Sequence, residues 1–471
     1  MIKAAQCLPI YLAVLVCLSS AGIASEKKDL SVMDYGAVAD GGTLCTKAIQ
    51  SAIEACRQTG GRLVFPSGRY MTGTFYLKSG VALHLEKGAV ILGSPDIKDY
   101  ATDTGGIRYD KSPWMDRCLI YAEGADTISI TGEGTLDGNG SQKHFPPGLR
   151  NGARPMLLRF LNCTNVVFRD VSMRDPASWT CAIIGCENVE VKHIKIQARA
   201  NWNGDGLDFD SCRNVTVDNC DFNTSDDSIC LQASEENRPC ENIKITNCTV
   251  STRWAAIRIG LLTRSDIRNV EMRDCHFHDV DGCGFKLQMA EGSVMENMLF
   301  ENITMENVTR PVFMTLNSHR FSRALKDVPL PPPGKMRNIK FVNIKAVAGN
   351  PAVRNANAYM AIIGVPEQKI EGVEFRNVEI TFPGGGSEAT AQRRDVPELG
   401  DWKPEFFAFK GDLPAYGLFI RHAKGVTLNN VKFRFKGKEK RPAILCDDVE
   451  DFSAPDLDAQ CGKGVEPVGK Y

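Results

Sequence analysis

The sequence has no excess of either charge. Lysine and arginine total 56, aspartate and glutamate 57, and the formal net charge is −1 at pH 7. That balance removes the electrostatic case for nucleic acid or an anionic membrane surface, and an acidic ligand would need a local basic site. Beyond the N-terminus there is no hydrophobic run of membrane-spanning length, which argues against an anchor. From about residue 125 the chain also lacks helical stretches, which argues against a helical architecture.

Cysteine is plentiful: 17 in 471 residues. Two lie in an N-terminal segment that reads as a secretory signal, leaving 15. Lys3 starts that segment, an apolar run covers Leu8–Leu18, and Gly22-Ile23-Ala24 offers a cleavage site before Ser25. Residues 1–24 are therefore expected to be removed, giving a secreted or periplasmic protein with no membrane anchor. Residues 25–471 are expected to form a single domain and a monomer.

Thr46 to Cys56 places Ala48, Ile49, Ala52, Ile53 and Cys56 on one helical face, followed by Gly60-Gly61. Short strands then follow, and the chain becomes periodic. Segments such as CTNVVFRDVSM from Cys163, CENVEVKHIKI from Cys186, CRNVTVDNCDF from Cys212, CENIKITNCTV from Cys240 and IRNVEMRDCHF from Ile267 recur. Steps from Cys163 to Met295 are 23, 26, 28, 27 and 28 residues. Short β-branched elements at this period predict a parallel β-helix, an all-β solenoid with right-handed coils. The helix at 46–56 would cap its exposed N-terminal rung.

Columns in the repeat carry chemistry of their own. The first position reads Cys163, Cys186, Cys212, Cys240, Ile267, Met295, Met336, Ile370, Ala423. The ninth includes Cys220, Cys248 and Cys275 among Val and Ile. A cysteine that alternates with Ile and Met is a small buried apolar side chain, so seven of the 15 are expected to be stacked core thiols. Cys446 and Cys461 fall outside the columns and are candidates for pairing. Asn165, Asn188, Asn214, Asn242, Asn269, Asn297 and Asn338 give way to Gly372 and Gly425, which marks a left-handed turn. Non-repetitive stretches at about 100–117, 321–335 and 383–414 read as loops, for binding or for covering a sheet edge.

Preceding each segment is another strand. Gly206-Leu207-Asp208-Phe209 aligns with Ser228-Ile229-Cys230-Leu231, Ala256-Ile257-Arg258-Ile259, Gly284-Phe285-Lys286-Leu287 and Phe313-Met314-Thr315-Leu316. Alternation sends Asp208, Cys230, Arg258, Lys286 and Thr315 outward in one column. Asp205 and Asp227 then face each other on neighbouring coils ~4.8 Å apart, with Asp226 beside them. Clustered carboxyls split their pKa values, so one holds a proton while another stays a base. Glycoside hydrolysis needs that combination. A solvated acidic turn is the bland alternative; matching register beside outward Arg258 and Lys286 favours the functional one. The two cations either neutralise the aspartates or grip the carboxylate of a uronic acid. Trp179, Trp202 and Trp254 lie at strand entries, suited to sugar stacking or to packing.

At these residues the chain resembles the polygalacturonase-like glycosidases, glycoside hydrolase family 28. The likeness runs from Asp34-Tyr35-Gly36-Ala37 through ITGEGTLDG at Ile130–Gly138 and RPMLLRFLNCTNV at Arg154–Val166. The family's Asn-x-Asp-Gly-x-Asp motif appears as Asn203–Asp208 and its Asp-Asp motif as Asp226-Asp227. The resemblance implies a pectin-lyase-like right-handed parallel β-helix that hydrolyses α-linked galacturonate bonds of pectic polysaccharide with inversion. It assigns Asp226 as general acid and Asp205 with Asp227 as the groups that activate water. Asn203, Asp208, Arg258, Lys286, Gln288, Trp254 and Trp202 are the expected substrate contacts. No metal or other cofactor is implied.

Two motifs depart. The family's Gly-His-Gly falls on Trp254-Ala255-Ala256, and of its Arg-x-Lys only Lys286 survives, at Gly284-Phe285-Lys286. Arg258, one coil earlier, is the candidate replacement for the missing arginine. Polygalacturonan is the default substrate. The alternatives are rhamnogalacturonan or another pectic side chain, a calcium-dependent pectate-lyase-like enzyme, or a carbohydrate-binding β-helix without catalysis.

Overall fold

The computed structural model describes residues 29–104, 117–147, 154–319, 327–349, 358–398, 405–409 and 411–471. The expected signal at 1–24 lies outside these residues, as do parts of all three expected loops, including Trp402.

Each coil is built from short strands joined by tight turns. Cys181–Ile184, Glu187–Lys192 and Lys195–Ala198 make one coil. Each pairs in parallel with its counterpart in the next coil: Leu207–Asp210, Arg213–Asp218 and Asp221–Thr224. Parallel pairing of coil on coil continues from Leu30 to Lys470. The fold is a right-handed parallel β-helix.

Helix α1, Thr46–Thr59, buries Ile49, Ala52, Ile53 and Cys56. It runs one turn beyond the expected end, stopping where the Gly60 N–H bonds the Cys56 carbonyl. The cysteine columns stack as the spacing predicts. Cys240 pairs with Ile267, Ile267 with Met295, Cys275 with Ile303, and all seven column thiols are buried. Cys446 and Cys461 do not pair; every described cysteine is free. Cys446 stacks between Ile420 and Lys470, whereas Cys461 follows Leu457–Ala459, which stacks on another face of the coil.

The asparagine column adopts positive φ at every coil from Asn165 (54°) to Asn338 (54°), and continues at Gly372 (62°) and Gly425 (65°). Its side chains form a ladder: from Asn188 onward each amide donates to the asparagine carbonyl oxygen one coil below, at 3.1 Å between Asn188 and Asn165 and again between Asn214 and Asn188, and Asn165 donates to the Asp126 carboxylate. Left-handed backbone and amide stacking together explain why Asn, rather than any polar residue, recurs.

The face that carries the acidic motif comprises strands β1 (Cys181–Ile184), β2 (Leu207–Asp210), β3 (Ile229–Ala233), β4 (Ala255–Thr263), the ends of β5 (Ile267–Met289) and β6 (Val294–Leu316), then β7 (Met360–Ile363), the start of β8 (Leu418–Phe435) and β9 (Ile444–Glu450). Its outward column reads Asp208, Cys230, Arg258, Lys286, then Phe313 rather than Thr315. Phe285 pairs with Val312, two residues before the expected Met314. The register shifts between Val280 and Cys283, so the coil is shorter there. Displacement by two keeps inward and outward faces unchanged, since side chains alternate with period two.

Candidate active site

Asp205 and Asp227 precede β2 and β3 by two residues. Because Leu207 stacks on Ile229, the two aspartates stack as well, and the Gly206 N–H bonds the Asp227 carbonyl at 2.9 Å. Gly206 is required by this approach: a Cβ there would lie 2.2 Å from the Ser228 carbonyl oxygen. Asp226 sits one step aside. Its backbone carbonyl accepts from the Thr224 hydroxyl at 2.7 Å, and its Oδ1 accepts from the Asp227 N–H at 3.0 Å. Carboxylate oxygens of Asp205, Asp226 and Asp227 all lie within 4.8 Å of one another. The expected trio is thus brought together.

The environment splits their acidities. Burial, then the neighbouring charge of Asp227, raises Asp226 to about 6, against the pull of Arg258 and Lys286. Burial pushes Asp205 well above the usual carboxylate range, with the charges of Asp226, Asp208 and Asp227 adding to it. Asp208 is also raised well above that range, chiefly by burial. Burial thus biases Asp205, Asp208 and Asp226 toward their neutral forms while the charge of Arg258 opposes it, a balance suited to paired acid and base work.

Around this centre the other expected residues take different places. Asn203, at φ 52°, donates to Asp226 Oδ2 at 3.2 Å. Trp202 stands at the rim, 61% exposed. Arg258 reaches Asp227 at 2.9 Å and donates to the Cys230 sulfur, also at 2.9 Å. Trp254 is half-buried and packs on Phe406 with ring centroids 5.3 Å apart. Trp179 is buried in a small apolar cluster with Tyr121, Met156 and Ala182. Gln288 is fully buried, two positions beyond Lys286, and does not reach the open face. Lys286 is buried too, its ammonium held by Glu405 at 2.8 Å. The expected uronate grip at Lys286 is thus filled by the protein's own carboxylate. Ala255, in the place of the family histidine, lies in an apolar cluster with Phe313, Phe406 and Phe409.

Two contributors were not anticipated. Arg154 donates to Asn203 Oδ1 at 2.8 Å and to the Trp202 carbonyl at 2.6 Å, fixing the turn that carries Asn203. Its position in the RPMLLRFLNCTNV stretch was the available signal. Glu405 lies 119 residues from Lys286, in a loop without periodicity, and no spacing in the sequence points to it.

A parallel β-helix that gathers three carboxyls within 4.8 Å on one sheet face presents a site suited to acid–base catalysis. The family model for glycosyl hydrolases family 28 matches residues 89–398, and the chain belongs to this family of glycosidases. It is 24% identical over 387 residues to a probable polygalacturonase of Vitis vinifera, covering 78% of this chain and 77% of that protein. It is 28% identical over 227 residues to a probable rhamnogalacturonase A of Aspergillus oryzae, covering 48% and 44%. Among solved structures, the exopolygalacturonase of Thermotoga maritima is similar in fold, with TM-score 0.63, 22% identity, and coverage of 85% of this chain and 92% of that one.

Proposed function

We propose that this protein is an exported enzyme that hydrolyses α-linked galacturonate bonds of pectic polysaccharide. The observation that carries the reading is the carboxyl trio on adjacent coils, within 4.8 Å, with Asp226 raised to about 6. Asp226 protonates the leaving oxygen. Asp227, 2.9 Å from Arg258, takes the proton of the attacking water, which Asp205 helps to hold. Asn203 orients Asp226, and Trp202 offers a ring face to a sugar at the rim. Export rests on the N-terminal residues 1–24. Names of relatives in the same family, polygalacturonase and rhamnogalacturonase, support a pectic substrate.

The family likeness supports inversion. The oxygens lie closer than the ~6.5–9.5 Å usual for carboxyl pairs that flank a water in inverting enzymes. Product stereochemistry is therefore the discriminating measurement. NMR of the first product should show the β-anomer; an initial α-anomer would mean that Asp205 or Asp227 acts as a nucleophile. Asp226→Asn should lower kcat by about 10²–10⁴-fold, the usual contribution of a general acid, with unchanged circular dichroism. Retention of most activity would remove Asp226 from that role.

The same trio favours one second reading. Three carboxylate oxygens this close also suit a calcium ion, which a pectate-lyase-like mechanism would use. Unsaturated, ultraviolet-absorbing products and loss of activity with a chelator would establish that reading over hydrolysis.

A further inference from the structure

Cys230 lies between two ionisable residues in the outward column, with Asp208 on the preceding coil and Arg258 on the next. Its thiol is fully buried. Three N–H groups converge on its sulfur: Arg258 Nε at 3.2 Å, Arg258 Nη2 at 2.9 Å and Gln232 Nε2 at 3.3 Å. Burial pushes the thiol well above its ordinary value, against the pull of Arg258, so the sulfur stays neutral beside the guanidinium.

Arg258 therefore separates its charge from its hydrogen bonds. Its Nε stands 2.9 Å from Asp227 Oδ2, so its charge acts on that carboxyl. Its N–H groups donate to the sulfur instead. Among the described residues no donor reaches Asp227 Oδ1. The common arginine–carboxylate pair is a fork of two N–H···O bonds, which occupies lone pairs on both oxygens. A carboxylate held in that way has fewer lone pairs for an incoming proton, and hydrogen bonds to its charged form weaken it as a base. A neutral sulfur that takes the fork leaves the positive charge beside Asp227 and the lone pairs of Asp227 open.

We propose that Cys230 is a positioning residue: its sulfur holds the Arg258 fork off Asp227, so that Arg258 supplies charge to the base without hydrogen-bonding it. The inference rests on the hydrolase reading, in which Asp227 takes a proton from water. It also sets Arg258 inside the acid–base machinery rather than on a substrate carboxylate.

The test is kcat and KM, measured separately on a galacturonate oligosaccharide. Cys230→Ala removes the acceptor and frees the fork to close on Asp227; kcat should fall about tenfold with KM within about twofold. Cys230→Ser restores an uncharged acceptor and should keep kcat within about threefold of the parent. In an Arg258→Met background, Cys230→Ala should cost no more than about twofold, because no fork is left to hold. Parental kcat in Cys230→Ala, an equal loss in both backgrounds, or a serine variant as slow as the alanine one overturns the proposal. Should Cys230→Ala fail to fold, Arg258→Lys takes its place, keeping the charge but losing the fork. Its kcat should fall about tenfold at nearly constant KM. A rise of about tenfold in KM at constant kcat would show instead that Arg258 grips a substrate carboxylate, and overturns the proposal. Unmutated protein that hydrolyses no pectic probe sinks the hydrolase reading and this role with it; hydrolysis without the coupling to Arg258 sinks this role alone.

Discussion

At the residue scale, the carboxyl centre trades stability for reactivity. Asp226 is raised from 3.8 to about 6 in the folded protein. The neutral form is thus favoured by folding, so its stabilising contribution is complete below pH ~4 and is lost as pH rises through ~6. Two outcomes follow. The kcat/KM of the enzyme should fall on the alkaline side as Asp226 gives up its proton near pH 6. Asp226→Asn, which cannot ionise, should raise Tm at pH 7.5 relative to the parent and leave it nearly unchanged at pH 4; paired melts at the two pH values check this. The trio itself was legible in the sequence, because motif spacing and strand alternation fix which side chains share a column. The partners of Lys286 and Asn203 were not. Glu405 and Arg154 reach them through tertiary approach, 119 and 49 residues away, and no local period encodes such contacts.

At the scale of the coil, one column constrains backbone and side chain together. Asn214, at φ 57°, donates to Asn188 and accepts from Asn242. Asn214→Gly keeps the left-handed turn and loses the ladder, while Asn214→Ala loses the ladder and adds about 1–2 kcal/mol of backbone strain. Denaturant melts should therefore order stability as parent, then Gly, then Ala. These columns are where sequence reading worked best, since a solenoid repeats one local problem coil after coil. It erred at β6, where one coil is shorter and Phe313 takes the position expected for Thr315. Alignment by pattern cannot distinguish displacements of two, because both place apolar residues inward.

Across the whole molecule, the sheet face is divided. Asp208, Cys230 and Arg258 belong to the acidic centre, whereas Phe313, Ala361, Phe419 and Leu445 form an apolar continuation covered by Val396, Phe406, Phe409 and Leu413. A polymer lying along the face would be stopped at this cover. End-wise attack is the expected outcome: reducing ends should accumulate from a pectic polymer while its viscosity barely falls, and a rapid drop in viscosity would argue for internal cutting.

The stacked thiols bear on how such a chain must be handled before it is folded. In the native coil the column cysteines are shut away from solvent, and burial raises the Cys212 thiol well above its ordinary value, so little reactive thiolate is present. Unfolded, the same chain exposes the fifteen described cysteines, none of which has a native disulfide partner to find. Every disulfide formed at that stage is an error, and each one staples coils that must slide past one another into register. Refolding yield should accordingly rise with added reductant and collapse with an oxidised glutathione buffer, the reverse of what a disulfide-framed exported protein shows.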